Sequence, residues 1–216
     1  MKVLLYGTSA NPPCGLGGHM GIVEFFSTTY DQVWVLPVYQ HIYSSKRHLA
    51  PFDHRVNLIR LAFESLSHPE KAFVKETEKE VWDQALVTTA DPATIRIGSI
   101  DIVHYLKQQH PDVEFDMLLG ADTFNDLVQG KWKGGLSLLD AVGIVVISRE
   151  GIALESAHVA ADRVTFVHVP ILDDSSSTQA RSATDPEELR RLLFPQVLAY
   201  IQAHGLYQFA PQKATT

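Results

Sequence analysis

Lys2-Val3-Leu4-Leu5-Tyr6 runs straight into Gly7-Thr8-Ser9-Ala10-Asn11-Pro12-Pro13-Cys14-Gly15-Leu16-Gly17-Gly18-His19, and Met20-Gly21-Ile22-Val23-Glu24-Phe25-Phe26 follows. The apolar run has the length of a buried strand. The middle stretch holds too much Gly and Pro to be helical, and the last reads as a helix that opens at a histidine. Strand, loop and helix in this order form a phosphate-handling arrangement. The first N–H groups of a helix have no intrahelical partner and carry partial positive charge, so an anion settles there. Glycines let the backbone approach that anion closely, and a histidine at the helix entrance can donate to a phosphate oxygen.

Working outward, Gln32-Val33-Trp34-Val35-Leu36-Pro37 reads as a second buried strand ended by proline. Strand, helix and strand in so short a span predict a parallel pair and favour an α/β, doubly wound sheet. Val38 to Pro51 reads as a loop at the carboxyl edge of that sheet, where ligands bind in this architecture. Asp53 is expected to cap a helix reaching Phe63. Ala72–Val74 is a weak third strand, Glu76–Leu86 a polar helix, and Ile100–Gln109 a helix that stops before Pro111. Strands are expected at Phe115–Gly120, Ala141–Ile147 and Val164–Val167, with a helix at Thr123–Val128. Helices around Pro186–Leu193 and Pro195–His204 close the chain. Residues 1–209 are read as one domain and 210–216 as a tail.

Composition narrows the partners. A length of 216 residues allows one well-cored domain. A net charge of −7 argues against a broad nucleic-acid surface. One cysteine fits a reducing, cytoplasmic setting, and no apolar run is long enough for a membrane helix. His41, His48 and His54 lie near one another without acidic or cysteine companions at tight spacing, so no protein-held metal is expected. A homo-oligomer is compatible with a domain of this size.

Asp173-Asp174-Ser175-Ser176-Ser177-Thr178-Gln179-Ala180-Arg181 follows the last strand. As local structure this is a hydroxyl-rich turn capping a helix. As chemistry it is a second anion site, with hydroxyls, helix N–H groups and an Arg fork one turn later.

The two stretches together resemble the nucleotidylyltransferase superfamily. Gly7, Asn11, Pro12 and Gly18-His19 match its first loop, Gly-[Gly/Ser]-x-Phe-[Asp/Asn]-Pro…His-x-Gly-His. Ser176-Ser177-Thr178-Gln179-Ala180-Arg181 matches its second signature, Ser-Ser-Thr-x-x-Arg. There are two departures: the first loop is longer, and Leu16 stands where the first histidine would be. The resemblance narrows to the nicotinate/nicotinamide mononucleotide adenylyltransferases and covers essentially the whole chain. Lys46, His54-Arg55, Leu118-Leu119-Gly120-Ala121-Asp122, Trp132, Val145–Arg149 and Leu193–Tyr207 carry it.

That resemblance implies a Rossmann-like fold and transfer of the adenylyl group of ATP to a pyridine mononucleotide, with release of pyrophosphate. By resemblance, His19 would donate to the α-phosphate, and Gly7, Thr8, Ser9 and Gly18 would line the phosphate path. Ser177, Thr178 and Arg181 would hold the β- and γ-phosphates, with His19 and Arg181 as the catalytic pair. Lys46 would add a positive charge, and Mg²⁺ would bridge phosphates. Asp122 would meet a ribose, Trp132 would stack on the pyridine ring, and Arg149 would reach toward adenine. Leu16 keeps two alternatives open. One is a different phosphorylated acceptor, such as phosphopantetheine; the other is a nucleotide-binding sensor with little turnover.

Overall fold

The strand read from the first residues is the centre of the molecule. The computed structural model describes residues 1–40, 49–147 and 162–209. In it β1 (Lys2–Thr8) pairs in parallel with β2 (Gln32–Pro37) on one side and with β4 (Glu114–Gly120) on the other. β3 (Ala72–Val74) adds outside β2, while β5 (Gly143–Ile147) and β6 (Val164–Val167) add outside β4, giving the all-parallel order β3-β2-β1-β4-β5-β6.

Right-handed crossovers decide where the helices go. The chain first steps outward from β1 to β3, so α1 (His19–Phe26) and α2 (Phe52–Phe63) cover one face. It then returns past β1 and steps outward the other way. The return and outward connections carry α3 (Thr77–Thr88), α4 (Ser99–Gln109), α5 (Ala121–Val128) and α6 (Gly135–Ala141). Of these, α4, α5 and α6 fill the core of the opposite face. After β6, the helices α7 (Ser177–Ser182), α8 (Pro186–Leu192) and α9 (Pro195–Ala203) return to the first face.

The strands alternate to feed both cores. Leu4, Tyr6, Val33, Val35, Leu118 and Val145 point to one face. Val3, Leu5, Trp34, Leu36, Met117, Leu119, Ile144 and Val146 point to the other. A strand buried on both sides reads as a continuous apolar run, which is why these segments were visible in sequence.

Asp116 is the exception within this apolar sheet. Its carboxylate accepts a 2.6 Å bond from the Tyr30 hydroxyl and lies 3.0 Å from the Lys2 ammonium. It fits because its β5 neighbour is Gly143, where any Cβ would collide with the Asp116 carboxylate.

Several boundaries differ from the sequence reading. α2 starts at Phe52 after Pro51, so Asp53 lies in the first turn instead of capping it. There it still complements the positive end of the helix. Ala141 ends α6, a helix not foreseen, and β5 starts only at Gly143. α5 starts two residues earlier than expected, directly at the end of β4. The expected tail, 210–216, lies outside the described residues. Among the described residues no helix is long and apolar enough to cross a membrane.

Candidate active site

The strand order reverses between β1 and β4, and a cavity of about 550 Å³ opens there, at the carboxyl ends of the strands. Its walls include Gly7, Thr8 and Ser9 from the end of β1, His19 from α1, Asp122 from α5, and Trp132. These are six of the positions expected from sequence.

The first loop is folded so that His19 is oriented. The main-chain N–H of Cys14 donates to His19 Nδ1 at 3.1 Å. A neutral imidazole that accepts at Nδ1 carries its proton on Nε2, so a donor is presented from the far side of the ring. The loop's glycines make this bend feasible. A Cβ at Gly17 would collide with the Asp173 carboxylate, and one at Gly18 would come within 2.8 Å of Cys14 Cβ. Asp173 in turn donates its N–H to Gly17 O at 2.9 Å, tying the loop to the segment before α7.

The second signature docks onto the same loop. Ser177 Oγ donates to Pro12 O at 2.8 Å, and Arg181 Nη1 donates to Asn11 O at 2.7 Å. Arg181 Nη2 also reaches Thr178 Oγ1 at 3.2 Å. Ser176 and Gln179 cap α7 reciprocally, each accepting the other's main-chain N–H. Six residues make a marginal helix on their own. The other end of α7 is held by Gln208, whose carboxamide N donates to Ala180 O at 3.0 Å and Ala183 O at 3.2 Å. Gly18, Ser177, Thr178 and Arg181 are not part of the cavity wall and join it through the first loop. Lys46 and Arg149 lie outside the described residues.

Trp132 has two roles in the fold. It lines the cavity and also packs against the core of the α4–α6 face. His54 does not turn to the cavity: its Nδ1 lies 2.9 Å from the Tyr200 hydroxyl, between α2 and α9. Leu16 is exposed and is not part of the cavity wall.

The structure adds residues to which the sequence reading gave no place in the site. Arg55 is 1 % exposed and supports the loop from beneath, donating from Nη1 to Ser9 O at 2.9 Å and from Nε to Ala50 O at 3.0 Å. Burial lowers its pKa, opposed by Tyr207 and Glu78. Glu78, in the first turn of α3, lines the cavity and accepts the Gln40 N–H at 3.2 Å. Burial pushes its carboxyl up to about 7, with the main-chain amides of Gln40 and Tyr39 and the charge of Arg55 opposing the rise. Ser99 and Ile102, at the start of α4, complete that wing with Leu36 and Val38. Glu78 stands in a run of charged residues without apolar punctuation, so nothing in sequence separates it from a solvated helix face. Ser99 follows a glycine at a helix start, a signal available in sequence and not used.

Residues 5–183 match the family model described as cytidylyltransferase-like. Among curated relatives, "Probable nicotinate-nucleotide adenylyltransferase" of Bacillus pumilus is 27% identical over 209 residues, covering 96% of this chain and 98% of that protein. The protein of the same name from Myxococcus xanthus is 26% identical, with 96% and 95% covered. Among solved structures, Plasmodium falciparum nicotinic acid mononucleotide adenylyltransferase complexed with NaAD superposes with a TM-score of 0.74 at 19% identity, with 96% of this chain and 98% of that one covered. That likeness establishes the shared architecture.

Proposed function

This chain belongs to the cytidylyltransferase-like family, and from that premise we propose that it is a nucleotidyltransferase joining ATP to nicotinate (or nicotinamide) mononucleotide. The names of the full-length relatives support the acceptor. The observation that carries the reading is the joining of the two phosphate signatures. Ser177 and Arg181 are bonded to the Asn11 and Pro12 carbonyls, in the loop that ends at His19, above one cavity of suitable size.

In the proposed reaction an oxygen of the acceptor's phosphate attacks the α-phosphorus of ATP. The bond from that phosphorus to the bridging oxygen breaks, and pyrophosphate leaves. The acceptor's phosphate is largely ionised at neutral pH, since its second pKa lies near ~6, so no general base is required. Catalysis is then alignment plus charge stabilisation. His19, oriented by Cys14, presents its Nε2–H to the α-phosphate as charge builds. In this reading Arg181 and Thr178 follow the leaving pyrophosphate, and Asp122 and Trp132 take the ribose and the pyridine. Mg²⁺, where it takes part, is assigned to the ATP phosphates and water. Among the described residues no group of three His, Cys, Asp or Glu is placed to hold it. We place the enzyme in the cytoplasm, consistent with its single, buried cysteine.

The test is pyrophosphate release from ATP and Mg²⁺ with nicotinate mononucleotide, nicotinamide mononucleotide, phosphopantetheine or no acceptor. Release dependent on a pyridine mononucleotide is expected. Release with phosphopantetheine alone, or with no acceptor at all, would refute the proposal.

A further inference from the structure

The cavity has an electrostatic peculiarity. Among the described residues its walls carry no lysine or arginine, whereas they include two carboxyl groups, Glu78 and Asp122. Asp122 is exposed, so water screens it; Glu78 is 9 % exposed. The triphosphate signature reaches the site through Asn11 and Pro12. Glu78 stands instead on α3 beside α4 and β2, with Leu36, Val38, Ser99 and Ile102, on the sheet face where Trp132, the ring proposed for the pyridine, also packs. A mononucleotide is an anion, and an ionised carboxylate in a poorly hydrated wall would repel it.

Building on the proposed function, we infer that Glu78 is a specificity-determining residue of the acceptor site. It must be protonated for the anionic acceptor to bind, so binding takes up a proton there. The groups facing it from other elements are Arg55 on α2, the main-chain amides of Tyr39 and Gln40, and, across the cavity, His19 on α1 and Asp122 on α5. Arg55 is already engaged with Ser9 O and Ala50 O. Its charge still acts on Glu78 and holds the carboxyl lower than burial alone would. Burial poises the Glu78 carboxyl near neutrality, where a modest added repulsion from the ligand converts it to the acid. As an acid it can donate to the anion and no longer repels it.

Two measurements test this on the full chain. Titration calorimetry of nicotinate mononucleotide near pH 8, in two buffers of different ionisation enthalpy, should show proton uptake approaching one per ligand. The KM for the acceptor should rise about fifteenfold between pH 7 and 8.5 in the wild type, as the protonated form of a carboxyl titrating near neutrality is lost. In Glu78→Gln it should stay level over that range. The acceptor phosphate's own ionisation moves both proteins alike and drops out of the comparison. Absence of proton uptake by the wild type, or parallel KM profiles in the two proteins, would overturn the inference. The wild-type calorimetry stands even if the variant folds poorly. Turnover without proton uptake refutes the role of Glu78 alone, whereas turnover with neither pyridine mononucleotide refutes the proposed function instead.

Discussion

Replacing Glu78 by glutamine should stabilise the ligand-free protein at pH 8 and change it little at pH 5. The carboxyl is 9 % exposed, and burial moves it from 4.5 to about 7. An acid that holds its proton more tightly when folded contributes stability that is complete below its unfolded pKa. That stability is lost as pH rises through the folded pKa. For Glu78 the loss therefore runs from about 4.5 to about 7. Its full size is about 3 kcal/mol, because each tenfold change in proton affinity is worth about 1.4 kcal/mol. Glutamine keeps the shape and the oxygen that accepts the Gln40 N–H, but it does not ionise. The variant's advantage should then be under about 1 kcal/mol at pH 5, about 3 kcal/mol at pH 8, and level above that. For a domain of this size, the gap at pH 8 corresponds to a Tm difference of about 6–10 °C. Scanning calorimetry of both proteins at several values between pH 5 and 9 measures it. A Tm difference that is the same at every pH, or a wild type more stable than the variant at pH 8, would refute the reasoning.

Other perturbations read separate parts of the structure. His19→Ala should lower pyrophosphate release by about 10²–10³, the range for losing one transition-state donor, while leaving the circular dichroism spectrum unchanged. Tyr30→Phe removes the buried 2.6 Å bond to Asp116 and should cost about 1–3 kcal/mol in urea unfolding without touching KM. Gly17→Ala places a methyl on the Asp173 carboxylate, so the phosphate loop must shift and kcat should fall more than stability does. Gln208→Ala frees two carbonyls at the end of α7; it should raise the KM for ATP, with a loss of about 1–2 kcal/mol in stability.

The legible parts of this protein are those where one local rule decides. β1, β2, β4 and β5 are buried on both faces, so they read as apolar runs, and the Gly-Pro stretch after β1 reads as a loop from composition alone. The helix start at Ser176 was equally plain, because the capping box of Ser176 and Gln179 is written in the residues themselves. α6 was missed because Gly134 and Gly135 mark a turn, and only the packing of Leu138 into the core makes the next residues helical. Arg55 and Glu78 were missed as site residues for a different reason. Their roles depend on burial beside a loop distant in sequence, and a charged residue on a helix reads as solvated until its neighbours are known.

The hold of Gln208 on α7 makes the second signature a long-range assembly and not a local one. Its hydroxyls and its arginine are contiguous in sequence, yet the helix that carries them is clasped by a side chain from beyond α9. A polypeptide ended before Gln208 keeps the first loop, the cavity and the arginine helix, but lacks the contact that steadies that helix. Such a shortened chain should fold around the same sheet and remain a poor catalyst.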